Sequence, residues 1–309
     1  MSVSLTTTYA GEFSGKYIAA ALLSADTLDK GLITVMPNVK FKSVIQKAST
    51  DDIVKDASCA FEPNQGTLTL TEAILQPEEF QVNMDICKKD LHDSWEAENM
   101  GFSSFDNLAP NFADFVLAHV ASKVADRTEK NIWSGSTAVS GQFDGFTTLL
   151  DADGDFGNGV TGAAITTANV VAELGKTVDA IPTAVYGSED LYLYAASDVI
   201  RAYTRSLGGY AAQGEGANGY EGKGNNQVLG NLFFDGIPVV AIRGAAAGTI
   251  IAAEKSNLFF GTGLLNDLNE VRVIDMAEND GSQNVRIVMR FTAGVQYAQV
   301  NDIVYRKTV

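Results

Sequence analysis

The sequence predicts an α+β fold in which one long helix stands between β-rich segments and a compact α/β unit. Three observations carry that expectation. From Pro110 to Trp133 apolar residues recur at Phe112, Phe115, Val116, Val120, Val124 and Ile132, the spacing of one helical face. Around 68–86 and again at 285–291, apolar and polar residues alternate with a period of two, as half-buried strands do. Between about 165 and 265, helix-spaced and strand-like stretches follow one another closely, the mark of an α/β layer.

Residues 1–36 carry no core pattern of their own and read as an arm that packs on something else, with a short helix expected over Tyr17–Leu28 before Lys30-Gly31. Next, Val39 and Phe41 alternate with Lys40 and Lys42, and Leu68 and Leu70 with Thr67, Thr69 and Thr71. Phe80, Val82, Met84 and Ile86 then alternate with Gln81, Asn83 and Asp85. These segments predict a long β-hairpin over residues 37–88, interrupted at Gln76-Pro77. A two-stranded hairpin is unstable alone in water. It must lie on its own domain or on a neighbouring molecule, and its length favours the neighbour.

The long helix is expected over 110–134. Pro110 suits its first turn, where a missing N–H costs nothing, and Gly135 suits its exit. At about 1.5 Å per residue it spans roughly 35 Å. A loop-rich passage follows, then a helix over Thr167–Ala180 and a short strand over Thr183–Tyr186. A second helix is expected over Glu189–Leu207, with Ser188 as N-cap, Arg201 and Arg205 late, and Gly208-Gly209 as exit. The glycine-rich stretch 208–224 predicts a loop. Strands are expected at Ile237–Ile242 and Thr249–Ala253. In the tail, Val285, Ile287, Met289 and Phe291 alternate with Arg286 and Arg290, and strands at 295–300 and 303–305 follow. With no helix of their own they should pack under the long one, so one domain is discontinuous.

Composition narrows the function. The 309 residues suffice for about two domains. No apolar run approaches the roughly 18–20 residues of a membrane span, and no secretory signal pattern is present, so a cytoplasmic site of synthesis and action is expected. Cys59 and Cys87 form no disulfide framework or CxxC pair, and two histidines are few for a zinc site. A net charge of −16 opposes tight wrapping of nucleic acid.

Motifs of chemistry fail one by one. Gly214-x-Gly216-x-x-Gly219 matches a dinucleotide fingerprint by letter but follows no strand and opens no helix. Gly222-Lys223 lacks the earlier glycine and the Ser or Thr of a phosphate loop. Asp151, Asp153 and Asp155 alternate like calcium ligands, yet Phe156 stands where a glycine is needed and Gly162 where a glutamate is; they remain a weak cation candidate. His92-Asp93-Ser94 are neighbours that cannot form a triad, and His119 reads as a packed helix residue. Glu78-Glu79 and Asp51-Asp52 read as solvated loop charges. No catalytic residue, cofactor or firm metal site is expected. A soluble α/β enzyme would need a pocket with convergent polar groups, and a receptor-binding or tail protein would show repeated strands without a long helix.

The order of these features resembles a known family. Arm, long hairpin, spine helix, α/β insertion and returning strands are similar to the major capsid proteins of tailed bacteriophages, the Hong Kong 97-type fold. The similar stretches are Trp133-Ser-Gly with Phe143-Asp-Gly-Phe146, Leu232-Phe-Phe-Asp-Gly-Ile-Pro-Val-Val240, and Lys255–Gly261 through Val271–Asp275 to Val295–Ala298. The resemblance implies an arm over 1–36, an extended loop over 37–88 lying across an adjacent subunit, and a peripheral domain of 89–165 and 268–309. An axial domain over 166–267 would place the glycine-rich loop at the capsomer centre. It further implies pentamers and hexamers that close an icosahedral head around double-stranded DNA, touched only by weak non-specific contact. A separate scaffolding protein, a portal and decoration proteins are the implied partners, in the virion and earlier in the host cytoplasm. Lys47 and Lys55 lie in the loop where some relatives crosslink, but no crosslink is expected. The alternative is an encapsulin-type cargo shell of the same fold.

Overall fold

The computed structural model describes residues 26–39, 41–50, 54, 56, 59, 68–87, 110–207, 232–263, 272–276 and 281–308. They form mixed helices and sheets, the α+β class expected.

A six-stranded sheet occupies the middle, in the order β5 (Gly159–Gly162), β13 (Val304–Thr308), β9 (Ile250–Glu254), β6 (Leu191–Ala196), β8 (Ile237–Ile242), β7 (Leu232–Phe234). Both faces are buried. Leu193, Ala195, Ile250, Ala252 and Val304 pack on one side with Val170, Leu174, Val199 and Ile200 of helices α4 (Val170–Asp179) and α5 (Ser197–Ser206). Tyr194, Ile251, Ala253, Ile303 and Tyr305 point the other way, into a second core with Trp133, Phe146 and Phe260. A strand covered on both faces is a continuous apolar run rather than an alternation.

The second sheet is organised by β12 (Asn284–Tyr297), fourteen residues long. Its first ten residues pair antiparallel with the ten of β4 (Glu78–Cys87), from Asn284↔Cys87 to Ala293↔Glu78. Residues 285–288 also pair with β11 (Arg272–Asp275), and 294–297 with β10 (Leu258–Gly261). The short β1 (Thr34–Met36) adds to β10 in parallel. Val285, Ile287 and Met289 are buried while Arg286 and Arg290 are exposed, the alternation legible in the sequence.

Helix α2 (Pro110–Ser134) has the expected bounds. Its C-terminal turn is tied to α3 (Phe146–Ala152): the Thr147 hydroxyl donates to the Trp133 carbonyl at 2.7 Å, and the Thr148 hydroxyl to the Gly135 carbonyl at 2.6 Å. These bonds satisfy carbonyls that a helix end leaves orphaned. Gly145 runs so close to the helix that a β-carbon there would strike the Asn131 carbonyl. That is the physical content of the Phe143-Asp-Gly-Phe146 stretch.

Several expected elements differ. Thr183–Tyr186 is not a strand but a turn, in which the Val185 and Tyr186 N–H groups both donate to the Pro182 carbonyl. The helix expected over Glu189–Leu207 is half strand: Leu191–Ala196 is β6 and the helix begins at Ser197, so Ser188 caps nothing. The tail strands at 285–291 and 295–300 are one strand, β12, through Tyr297. β4 leaves the hairpin at Gln76-Pro77 to join β12, and β13 joins the sheet of the α/β unit. The helix expected over Tyr17–Leu28 survives among described residues as one turn, α1 (Asp26–Asp29). The glycine-rich stretch and His92-Asp93-Ser94 lie outside the described residues.

Candidate assembly surface

The hairpin proper is β2 (Ser43–Thr50) paired with β3 (Leu68–Leu75) in a two-stranded sheet. Residues opposite one another in a ladder share a face. The register Val44↔Ile74, Gln46↔Glu72, Ala48↔Leu70, Thr50↔Leu68 therefore sets one face, and Ile45↔Ala73, Lys47↔Thr71 the other. The second face turns toward the body of the molecule at its base, where Ala73 and Leu75 are buried. The first face is bare: Val44, Ile74, Leu68 and Leu70 are all exposed, the last by 73%. Four large apolar side chains thus stand in solvent on a narrow two-stranded ribbon, and Phe41 just before β2 and Val54 just after it are exposed as well.

The ribbon's base is fixed with little room. Gly261 and Gly294 are register partners between β10 and β12. A β-carbon on Gly261 would lie 2.7 Å from the Leu75 side chain, and one on Gly294 would lie 2.9 Å from the Pro77 backbone. The paired glycines make a flat floor on which Leu75 and Pro77 rest. The Gln296 amide also donates to the Ile74 carbonyl at 3.1 Å. So the ribbon is anchored at one end and unsupported along its apolar outer face.

The arm is anchored by polar contacts. The Thr27 hydroxyl and N–H both donate to the Glu129 carboxylate, at 2.6 and 3.1 Å, and the Trp133 indole N–H donates to the Thr27 hydroxyl at 2.9 Å. Glu129 is fully buried, and that desolvation raises its pKa above the ordinary value. Asp26 bridges to Arg243 at 3.1 Å. The arm's return over the helix, with Thr27 donating twice to the carboxylate, accounts for this burial.

Two of the three alternating carboxylates have protein partners. Asp151 pairs with Lys307 at 2.7 Å. Asp153 accepts from the Tyr297 hydroxyl at 2.6 Å and from the Asp155 N–H at 2.9 Å, and these bonds, the hydroxyl's foremost, hold its pKa down. Among the described residues no three His, Cys, Asp or Glu side chains gather where they could hold one metal ion. His119 lies in the wall of a groove beside α2. Cys59 and Cys87 are free thiols. Among the described residues no helix is long and apolar enough to cross a membrane.

The chain resembles solved capsids over nearly its whole length. Aligned on the capsid of the native GTA particle, it is 15% identical with a TM-score of 0.63, covering 97% of this chain and 95% of that one. A structure of Mycobacterium phage Ogopogo matches at 12% identity and TM-score 0.61, over 98% and 97%. One of the satellite phage P4 procapsid including its size determination (Sid) protein matches at 10% and 0.51, over 91% and 96%. No protein-family model matches the sequence, and no curated protein does. The chain has the Hong Kong 97-type capsid fold.

Proposed function

We propose that this chain is the major capsid protein of a tailed bacteriophage, assembling into pentamers and hexamers that close an icosahedral shell around double-stranded DNA. The observation that carries the reading is the end-to-end likeness to the GTA capsid, with both chains covered almost completely. The bare ribbon gives the likeness a mechanism. Burying an exposed aliphatic side chain contributes roughly 1.5–3 kcal/mol, and Val44, Leu68, Leu70 and Ile74 offer several such contacts to an adjacent copy. Each interface is then weak alone and strong when repeated around a closed ring.

On this reading the segment 37–88 reaches the neighbouring subunit through its β2–β3 part, and the α/β unit of 166–267 stands nearer the capsomer centre. The remainder of the chain, 89–165 with 268–309, forms the peripheral region, and the 1–36 arm adds further contact. A separate scaffolding protein, a portal and decoration proteins complete the set of partners, in host cytoplasm and then in the virion. Packaged DNA meets an acidic chain and is held by confinement instead of by grip.

Size exclusion with light scattering, followed by negative-stain imaging of the largest fraction, tests this. Rings or closed shells of many copies are expected when the chain is co-expressed with its scaffold. A monomer under those conditions refutes the proposal. Shells containing an enzyme and no nucleic acid would point to the cargo-shell alternative.

A further inference from the structure

A cavity of about 340 Å³ lies between helix α2 and the face of the β4–β12 sheet. Its floor is Phe80, Val82 and Met84 of β4 with Phe291 of β12, and its helical wall includes Val120 and Val124. The volume is at the lower end of small-molecule sites, about 300–1,000 Å³. Helix residues 119 to 131 line it, a run of about 18 Å at 1.5 Å per residue, so the space is elongated. Six polar side chains interrupt the apolar lining, Gln81, His119, Lys123, Arg127, Thr128 and Asn131, and the last-named together with the two cations bear on what it could hold. Lys123 and Arg127, one turn apart at the rim, make no ion pair among the described residues. Among the described residues no carboxylate lines the cavity, although the chain as a whole carries a net charge of −16. Asn131 is buried, and while its amide N–H donates to the Gly141 carbonyl at 3.3 Å, its Oδ1 accepts no hydrogen bond among the described residues. A buried acceptor without a donor costs about 1–3 kcal/mol, and such a group wants a partner.

We propose that this groove is a binding site for an amphiphilic anion: an extended apolar body, one acidic head group, and a hydrogen-bond donor set back from it. The apolar body lies along Phe80, Val82, Met84 and Phe291. The head group sits at the rim between Lys123 and Arg127. Arg127 and Lys123 are about 6 and 12 Å from Asn131 along the helix axis, which fixes the separation of acid and donor. The donor satisfies Asn131 Oδ1. A ligand held this way bridges the long helix and the strand that follows the ribbon, two elements whose side chains meet across this space. The site is independent of assembly and does not rest on the capsid reading.

The probe is 10-hydroxydecanoate, titrated calorimetrically into the purified, dissociated chain below its aggregation concentration. Saturable one-to-one binding is expected, several-fold tighter than decanoate, which lacks the donor, and tighter still than 1,10-decanediol, which lacks the charge. The double variant Lys123→Ala, Arg127→Ala should weaken binding about tenfold, and Asn131→Leu should erase the advantage of the hydroxyl. Val82→Trp fills the groove from the sheet and Val124→Phe from the helix; whichever keeps the wild-type melting profile should abolish binding. Absence of saturable binding, or binding indifferent to the filling and charge variants, overturns the proposal. Binding by the dissociated chain that vanishes in rings or shells would assign the groove to a neighbouring copy and overturn it as well.

Discussion

Arg306 sits on β13 with no solvent exposure, and it is kept there by a complete set of acceptors. Its guanidinium donates to Glu173 from Nε at 3.1 Å and Nη2 at 2.8 Å, and to the carbonyls of Gly248 and Ala163. Glu173 on α4 is equally buried and takes a further bond from Lys176 at 2.7 Å. Removing one partner of such a pair leaves a buried charge uncompensated, which costs about 3–5 kcal/mol. Arg306→Ala should therefore lose that much in urea denaturation of the dissociated chain, and a loss within 1 kcal/mol would show that water reaches the site. The two buried glutamates should also titrate with opposite sign. The Lys176 bond and then Arg306 hold Glu173 below its ordinary 4.5, so its stabilisation is full above about that pH and is lost as pH falls through the folded value. Burial raises Glu129 instead, so the folded chain binds its proton more tightly and the charged form is penalised as pH rises above 4.5. Melting temperatures taken from about pH 5 to 7 should contain a falling component in the wild type that is absent in Glu129→Gln. Identical slopes would remove Glu129 from the account.

At the scale of elements, the ribbon joins a fixed base to a free apolar face, and the two can be separated by mutation. Leu68→Glu with Leu70→Glu changes only exposed positions and should leave the chain's own stability within about 0.5 kcal/mol. Assembly into rings or shells should be lost, as followed by light scattering. If shells form normally, this face does not meet a neighbour. Gly294→Val acts at the other end: its side chain would collide with Pro77, and overpacking of that kind costs about 1–3 kcal/mol. The elements themselves were legible unequally. β4 and β12 alternate because one face is buried and the other wet, and the sequence states this openly. Leu191–Ala196 is covered on both faces, so its apolar run looks the same for strand or helix. Ser188, Glu189 and Asp190 then imitated a helix start nine residues before the one at Ser197. What no local pattern carries is pairing: β1 joins β10 more than two hundred residues away, and β13 crosses to the sheet of the α/β unit. The burial of Glu129 was hidden for the same reason, since its donor, Thr27, comes from the arm.

For the whole molecule, charge decides how a shell of this kind treats its contents. The chain carries 38 acidic and 22 basic side chains. Of the cations in the described residues, Arg306 is fully buried, and Lys130, Lys176, Arg243 and Lys307 are engaged with carboxylates. Non-specific DNA binding draws its strength from cations that displace counterions at phosphates, and typical dissociation constants are about 10⁻⁴–10⁻⁶ M at physiological salt. With acidic side chains outnumbering basic ones 38 to 22, the chain should fall at or beyond the weak end. Fluorescence anisotropy of a labelled duplex should thus show no saturable complex with the dissociated chain at tens of micromolar protein near 0.15 M salt. Lowering the salt should produce little binding, because the net negative charge of the chain repels the duplex and weaker screening strengthens that repulsion. A tight complex whose affinity falls steeply with salt would reveal a basic surface composed in assembly or by residues beyond those described. The shell would then grip its DNA instead of merely enclosing it.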